Sequence, residues 1–267
     1  MSRSMSKLIL NRRKLLRAGL ATAATLPLAG CEAFDFLTDR SNPVREWMIS
    51  INGLTYRAQR ALQAAGQLAP EFSQADIRQG QRPNGSTDPD TPEYLSLKEK
   101  NFADYQLEVD GLVERPMRFS LDQLRNMPSR TQITRHDCVE GWSTIAKWQG
   151  VPLKQILDQV GVKPTARYVM FHCYDALSRS LSGIDLYYES IDLIDARHPQ
   201  TILAYAMNDA PLPVANGAPL RVRIERQLGY KMAKYIRRIE LISEFSAIGG
   251  GKGGFWEDRG YEWYAGI

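Results

Sequence analysis

The sequence predicts an α+β fold, because short strands and short helices follow one another without a regular strand–helix–strand repeat. Residues 105–111 alternate apolar and polar side chains and end at a glycine, which is typical of a strand followed by a turn. Ser120 and Gln123 have the spacing of a capping box that opens a short helix through Met127. Residues 168–171 are typical of a buried strand.

The other elements follow from local patterns. Asn42-Pro43 is typical of a helix start, and apolar residues at helical spacing extend that helix to about Gly66. Residues 70–92 are rich in Gln, Pro, Gly, Asp and Ser, which predicts an irregular connector of the kind that often covers a site. Further predicted elements are a strand at 131–134, a helix at 152–160 with Leu153, Ile156, Leu157 and Val160 on its apolar face, and strands at 201–207, 220–224 and 235–241, the last two paired through Gly229.

The charge is concentrated at one end of the chain. The 267 residues carry a formal net charge of +4, from 34 basic and 30 acidic residues. Residues 1–30 contain six basic residues and no acidic one, so the remainder has 28 basic and 30 acidic residues. The basic excess therefore belongs to a targeting segment, which argues against a nucleic-acid partner.

The first thirty residues are typical of an export signal. Arg12-Arg13 lies in a twin-arginine pattern, and a short apolar stretch follows that is too short for a membrane-spanning helix. Leu28-Ala29-Gly30-Cys31 matches a bacterial lipobox with Cys31 as the lipidated residue; the alternative is a cleavable leader with a chance cysteine. The predicted divisions are a signal with lipobox at 1–30, a tether, helix and connector at 31–95, and the main domain at 96–267.

The segment 135–153, RHDCVEGWSTIAKWQGVPL, is the most informative part of the chain. It places Cys138 next to Arg135 and His136, whose positive charge would favour the thiolate, a soft metal ligand. A buried structural thiol is the alternative. Cys173 is the one other cysteine after Cys31, and two cysteines in an oxidising compartment could pair. The three histidines, His136, His172 and His198, have no zinc-site spacing.

This segment resembles the cofactor-binding core of the sulfite oxidase family of molybdopterin enzymes. CVEGWS followed by W-x-G-x-P-L is most similar to the branch of the methionine-sulfoxide reductase catalytic subunits. The resemblance implies the mixed α+β sulfite oxidase fold as a single catalytic domain. It also implies Mo-molybdopterin, with the metal ligated by the pterin dithiolene and Cys138, and hence no Cys138–Cys173 disulfide.

The resemblance implies further site residues. Those expected to bind the cofactor are Asn216 and Arg221 of an N-G-x-P-x-R turn, Met232, Ala233 and Lys234 of a G-x-K-x-x-K segment, Cys173 in place of the usual Ser or Thr, and Asn101 and Asp104 near the domain start. Arg135 is expected to be catalytic, stabilising or steering the substrate oxygen. Cys173, Trp142, Trp148 and Tyr205 each keep a packing role as an alternative.

The implied activity is two-electron oxygen-atom transfer, with reduction of an S-oxide or N-oxide, small or protein-bound, as the leading hypothesis. The sequence contains no haem-attachment motif, so electrons are expected from a membrane cytochrome b or a periplasmic cytochrome c. The expected location is periplasmic, with export by the twin-arginine route and a lipid anchor. Two alternatives remain: a sulfite-oxidising enzyme of the same fold, and a non-catalytic binding lipoprotein.

Overall fold

The computed structural model describes residues 43–62, 66–180 and 183–267. Helix α1, Pro43–Leu62, begins at the predicted proline. Cys31 and the twin-arginine segment lie outside the described residues. Tyr56–Ile267 form one compact unit, so the connector at 70–92 belongs to the same unit as the strands. Among the described residues, no helix combines the length and hydrophobicity that crossing a membrane requires.

The first sheet has five strands in the order β2-β1-β10-β5-β6. Strand β10 runs parallel to β1 and antiparallel to β5, and the other neighbours are antiparallel. The bounds are β1 Gln106–Gly111, β2 Met117–Ser120, β5 Tyr168–Ser180, β6 Gly183–Asp192 and β10 Ile236–Ile242. The alternating pattern predicted at 105–111 is confirmed as β1.

The second sheet is antiparallel and has the order β3-β4-β7-β8, with β9 also paired to β7. Its strands are β3 Arg130–Asp137, β4 Ser143–Pro152, β7 Ile202–Met207, β8 Ala210–Pro211 and β9 Arg221–Arg223. Strands β3 and β4 form a hairpin whose loop contains Cys138.

Four short helices complete the unit: α2 Pro92–Glu99, α3 Leu121–Asn126, α4 Leu153–Val160 and α5 Leu193–Ala196. The predicted capping box is confirmed, since Ser120 Oγ accepts from the Gln123 amide and Gln123 Oε1 accepts from the Ser120 amide. The predicted apolar face of α4 is also confirmed, because its four apolar residues are all fully buried. Mixed helices and sheets in one domain confirm the α+β class.

The predicted pairing of 220–224 with 235–241 is wrong. Strand β9 adds to β7 in the second sheet, whereas β10 inserts between β1 and β5 in the first. The intervening residues carry the chain from one sheet to the other. They include a 3-10 turn at Gly229–Lys231, and backbone bonds from Val222 to Ala233 and from Ile236 to Leu220 hold the two segments side by side. This crossing brings Tyr230 and Lys234 near the Cys138 loop.

Candidate active site

Cys138 lies at the tip of the β3–β4 hairpin. Its amide donates to the Trp142 carbonyl at 2.9 Å, and its carbonyl accepts from the Gly141 amide at 3.0 Å. Gly141 has a φ of +83°, a conformation that favours glycine and closes this tight turn. The loop thus holds the thiol half-buried at the end of a rigid hairpin.

The expectation that Cys138 favours its thiolate is wrong for the protein alone. Burial raises the pKa of the thiol, and backbone hydrogen bonds from Glu140 and Val139 offset this only in part. The neighbouring basic residues Arg135 and His136 do not supply the expected positive charge. Arg135 pairs with Asp137 at 2.8 Å, and burial beside Arg223 lowers the pKa of His136 far below its ordinary value, so its ring is neutral. A bound cation, rather than these side chains, would have to stabilise the thiolate.

Arg135 does not line the cavity beside Cys138, contrary to the expected catalytic role. Alternate residues of β3 face opposite sides of the sheet, and Arg135 is on the exposed side. It contributes to another depression, with Asp137 and Phe72. His136 faces inward, and its Nδ1 accepts from Arg223 at 2.9 Å.

A cavity with a volume of about 230 Å³ adjoins Cys138. Several aromatic and apolar groups line it, and so do two carboxyl groups and one amine. The lining includes Cys138, Glu140, Asp175, Tyr187, Gly229, Tyr230, Met232, Lys234, Trp256, Tyr261 and the connector residues Asn84, Gly85 and Ser86. Gly229 is required here because a Cβ would lie 2.4 Å from His136 Nε2.

Arg221 is a buried cation with spare hydrogen-bonding capacity. One nitrogen donates to the Asn216 carbonyl at 2.9 Å, while Nε and the other terminal nitrogen are buried without a partner among the described residues. Its guanidinium lies 5.0 Å from the ring centre of Trp148, and Arg223 lies on the same ring at 4.5 Å. Burial and the Arg223 charge lower the pKa of Arg221 to about 9. Trp148 is therefore a packed core residue.

Lys234 is the second buried cation. Its ammonium donates to the carbonyl oxygens of Asn84, Ser86 and Ala215. Burial, and then the charge of Arg221, lower the pKa of Lys234 to about 7. Lys234 therefore fixes the connector at the cavity wall, and within the described residues its ammonium bonds carbonyl oxygens rather than a carboxylate.

These residues fit an anionic cofactor. Besides burial, the charge of Arg223 lowers the pKa of Arg221, and the charge of Arg221 lowers the pKa of Lys234. Arg221 also leaves two donors unsatisfied, which is costly unless an acceptor arrives. A phosphate offers oxygen acceptors that match the forked guanidinium. Within the described residues, no cluster of three or more His, Cys, Asp or Glu side chains could hold a metal ion.

The remaining predicted cofactor residues are placed as follows. Asn216 is buried at the end of a 3-10 turn next to Arg221, and Met232 and Ala233 are buried before Lys234. Cys173 is fully buried in the core against the first sheet, which agrees with the packing role given above as its alternative.

Asn101 and Asp104 are not among the residues that line the cavity. Asn101 is exposed in a turn, and Asp104 pairs with Lys100 at 2.7 Å beside a different depression. The chain approaches the cavity instead through Asn84–Ser86. These residues belong to the connector at 70–92, which the sequence predicted to be irregular and of the kind that often covers a site. Tyr205 packs in the core, and Trp142 stacks under Arg82.

Comparison with known proteins identifies the family. The family described as oxidoreductase molybdopterin binding domain matches residues 94–247. The chain belongs to this family. It is therefore a molybdopterin-dependent oxidoreductase of the sulfite oxidase type, and Mo-molybdopterin is its implied cofactor.

Two relatives of similar sequence have names that refer to methionine-sulfoxide reductases. A protein of Azospira oryzae named as the methionine-sulfoxide reductase subunit YedZ1 is 34% identical over 96% of this chain and 87% of its own length. The protein-methionine-sulfoxide reductase catalytic subunit MsrP of Ralstonia nicotianae is 30% identical over 87% of this chain and 69% of its own. Among solved structures, the sulfane dehydrogenase SoxCD from Paracoccus pantotrophus matches at 22% identity, with a TM-score of 0.46, over 53% of this chain and 39% of that chain.

Arg221→Ala should lower cofactor retention. The bound phosphate would lose a charge-assisted partner worth roughly 1.5–3 kcal/mol, so the purified variant should show a reduced molybdenum-to-protein ratio. Arg115→Ala is the control, because Arg115 is exposed and bonds the Gln159 carbonyl. A full molybdenum complement in Arg221→Ala would show that Arg221 does not hold the cofactor.

Proposed function

We propose that this oxidoreductase reduces a neutral S-oxide or N-oxide, with the methionine-sulfoxide side chain as the first candidate. The names of the two curated relatives support the substrate class. The observation that carries the proposal is the composition of the Cys138 cavity, whose aromatic and thioether lining suits an uncharged sulfur compound.

The charges of the cavity argue against sulfite as the substrate. Its described lining includes Glu140 and Asp175 but no arginine, and Lys234 is its one cation. Lys234 is already fixed to the connector and lies near Arg221, where we expect the cofactor phosphate. A dianion entering this cavity would meet carboxylates without a guanidinium to stabilise it.

The protein's own residues would then bind and orient the cofactor and the substrate, and exclude water. When bound, the cofactor supplies the two-electron oxygen-atom transfer, and we propose Cys138 as its protein ligand, with Arg221 and Lys234 at the phosphate. Trp256 and Tyr261 stack at 5.3 Å at the cavity wall, and Tyr230 packs edge-on against Tyr261. These rings form an apolar surface for the sulfur substituents of the substrate.

Substrate profiling of the holoenzyme tests the function. With a reduced viologen as donor, methionine sulfoxide or an N-oxide should be turned over, while sulfite oxidation with a one-electron acceptor should be undetectable. Tyr261→Ala should raise KM several-fold with little change in kcat, because it removes a half-exposed contact ring. Tyr261→Phe keeps the ring and should restore the wild-type KM. Faster turnover of sulfite than of any S- or N-oxide would overturn the proposal.

We also propose that the enzyme is exported by the twin-arginine route and anchored at Cys31 on the periplasmic side. There it would receive electrons from a membrane cytochrome b or a periplasmic cytochrome c. The support is the sequence of residues 1–31, namely Arg12-Arg13, the short apolar stretch and the lipobox.

Substitution separates the two signals. Arg12→Lys/Arg13→Lys should leave the protein in the cytoplasm. Cys31→Ser should release a soluble periplasmic protein that keeps its molybdenum, because stable anchoring takes more than one acyl chain and those chains are attached at the lipobox cysteine. Fractionation and mass analysis of the mature N-terminus provide the measurement. A wild-type protein that is soluble and lacks Cys31 would refute the anchor but not the export route.

A further inference from the structure

A cluster of three ionisable side chains is buried beside the cavity. Lys231 Nζ lies 2.5 Å from Glu189 Oε1 and 2.5 Å from Glu257 Oε1. All three side chains are at most 1% exposed. Glu257 Oε2 is buried without a hydrogen-bond partner among the described residues. Two carboxyl groups thus share a single ammonium in the protein interior.

Charge balance requires one additional proton in this cluster. With both carboxyl groups ionised, the cluster would hold an uncompensated negative charge away from water, which is strongly unfavourable. Burial, together with the nearby Glu257, raises the pKa of Glu189 well above its ordinary value, although Lys231 opposes this. Protonation of one carboxyl group makes the cluster neutral.

The hydrogen bonds of Tyr187 indicate which oxygen carries that proton. Tyr187 Oη lies 2.5 Å from the Tyr230 carbonyl oxygen and 3.3 Å from Glu189 Oε2. A carbonyl can only accept, so the single phenol proton is donated to Tyr230. The longer contact is then a hydrogen bond if the Glu189 carboxyl group donates to Tyr187. Geometry and charge balance therefore agree on a proton at Glu189 Oε2.

Tyr187 connects this proton to the cavity. It lines the space beside Cys138 and is 7% exposed. The titratable and charged groups that face Glu189 and Tyr187 from the surrounding elements are Lys231, Glu257, Tyr230, Cys173 and Asp175. Burial and the neighbouring carboxyl groups raise the pKa of Tyr187 well above its ordinary value, so its phenol stays protonated between transfers.

We propose that Glu189 and Tyr187 form a proton relay that delivers one proton to the substrate oxygen in the Cys138 cavity, with Lys231 stabilising the carboxylate left behind. The inference rests on the proposed reduction of S- or N-oxides. Reduction of a sulfoxide breaks the S–O bond, consumes two electrons and two protons, and releases a thioether and water. The electrons come from the external one-electron donor. Tyr187 gives its phenol proton to the departing oxygen, and Glu189 passes its own proton to Tyr187 Oη. Solvent in the cavity supplies the second proton and later reprotonates Glu189 through Tyr187.

The two glutamates of the cluster provide a matched pair of variants. Glu189→Gln and Glu257→Gln are isosteric and each removes one carboxyl group bonded to Lys231, but in the described structure it is Glu189 that contacts Tyr187. In holoenzyme assays with methionine sulfoxide and reduced viologen, Glu189→Gln and Tyr187→Phe should lower kcat roughly 10- to 100-fold. The double variant Glu189→Gln/Tyr187→Phe should be no slower than either single variant. Glu257→Gln should also slow turnover, because it leaves Glu189 ionised opposite Lys231, without a proton to pass on. Tyr188→Phe is the control, because the Tyr188 hydroxyl bonds Asp258 instead of Glu189, and its kcat should stay within about twofold of the wild type.

Infrared spectroscopy provides a readout that does not depend on turnover. At pH 8, where Asp175 is ionised because burial raises its pKa only to about 6, the wild type should show a protonated-carboxyl band that shifts in D2O. Both glutamine variants should lose this band, because each leaves a single carboxylate opposite the Lys231 ammonium. Tyr187→Phe should keep the band but shift its frequency, because it removes the acceptor of the Glu189 proton. Equal losses of kcat in Tyr187→Phe and Tyr188→Phe, or a band that Tyr187→Phe leaves unmoved, would overturn the relay alone. A wild type that turns over no S- or N-oxide would overturn the proposed function and the relay together.

Discussion

Cys138→Ala should abolish turnover while leaving the fold intact. Cys138 is the proposed protein ligand of the metal. Loss of a group that hydrogen-bonds to a metal ligand typically lowers activity about 10–100-fold, so loss of the ligand itself should lower it further. The loop itself should hold, because its turn is closed by backbone bonds to Trp142 and Gly141 rather than by the thiol. The free energy of unfolding of the apoprotein should change by less than about 1 kcal/mol.

Cys173→Ala is the matched control for this substitution. Its thiol is fully buried in the core, and burial raises its pKa well above the ordinary value, so it stays neutral. Removing it should cost roughly 1–2 kcal/mol of stability through the cavity left behind, but kcat should stay near that of the wild type. Activity is measured with reduced viologen and an S-oxide, and stability by urea denaturation. Wild-type turnover in Cys138→Ala would contradict its role as a ligand.

Local patterns predicted the elements well. The capping box at Ser120, the apolar face of α4 and the alternation of β1 each depend on residues within one turn or one strand. Partnering between strands depends on distant residues. Strand β10 pairs with β1 and β5 rather than with β9, because it completes an apolar layer with strands far away in sequence. No pattern within 220–241 contains that information.

The residues of the candidate site likewise fall into those that a sequence motif predicted and those that depend on distant contacts. The motif around Cys138, Arg221 and Lys234 was available from the sequence, and the structure places Cys138 and Lys234 at one cavity with Arg221 close enough to lower the pKa of Lys234. The sequence analysis expected Arg135 at the site, but Arg135 faces the side of β3 opposite to His136. The alternation of side chains along a strand could have corrected that expectation. Asn84–Ser86 lacks any periodicity, and its position depends on the buried Lys234 ammonium.

The Lys231 cluster had no sequence signal, yet it is where we expect the largest loss of stability. Glu189 and Glu257 lie 42 and 26 residues from Lys231 in sequence. Lys231→Met keeps the volume of the side chain but leaves the two carboxyl groups facing each other without a cation. Removing one member of a buried ion pair typically costs about 3–5 kcal/mol, and we expect a loss of that size in the urea-derived free energy of unfolding.

Lys154→Met is the control that separates the effect of burial on stability from the effect of ion-pair distance. Lys154 lies 2.5 Å from Asp158, the same distance as in the buried cluster, but both side chains are about half exposed. Because solvent screens an exposed pair, this substitution should cost less than about 1 kcal/mol. The triple variant Lys231→Met/Glu189→Gln/Glu257→Gln should recover much of the loss, since no ionised group then remains buried in the cluster. Equal costs for Lys231→Met and Lys154→Met would show that the buried charges of the cluster do not contribute to stability in this way.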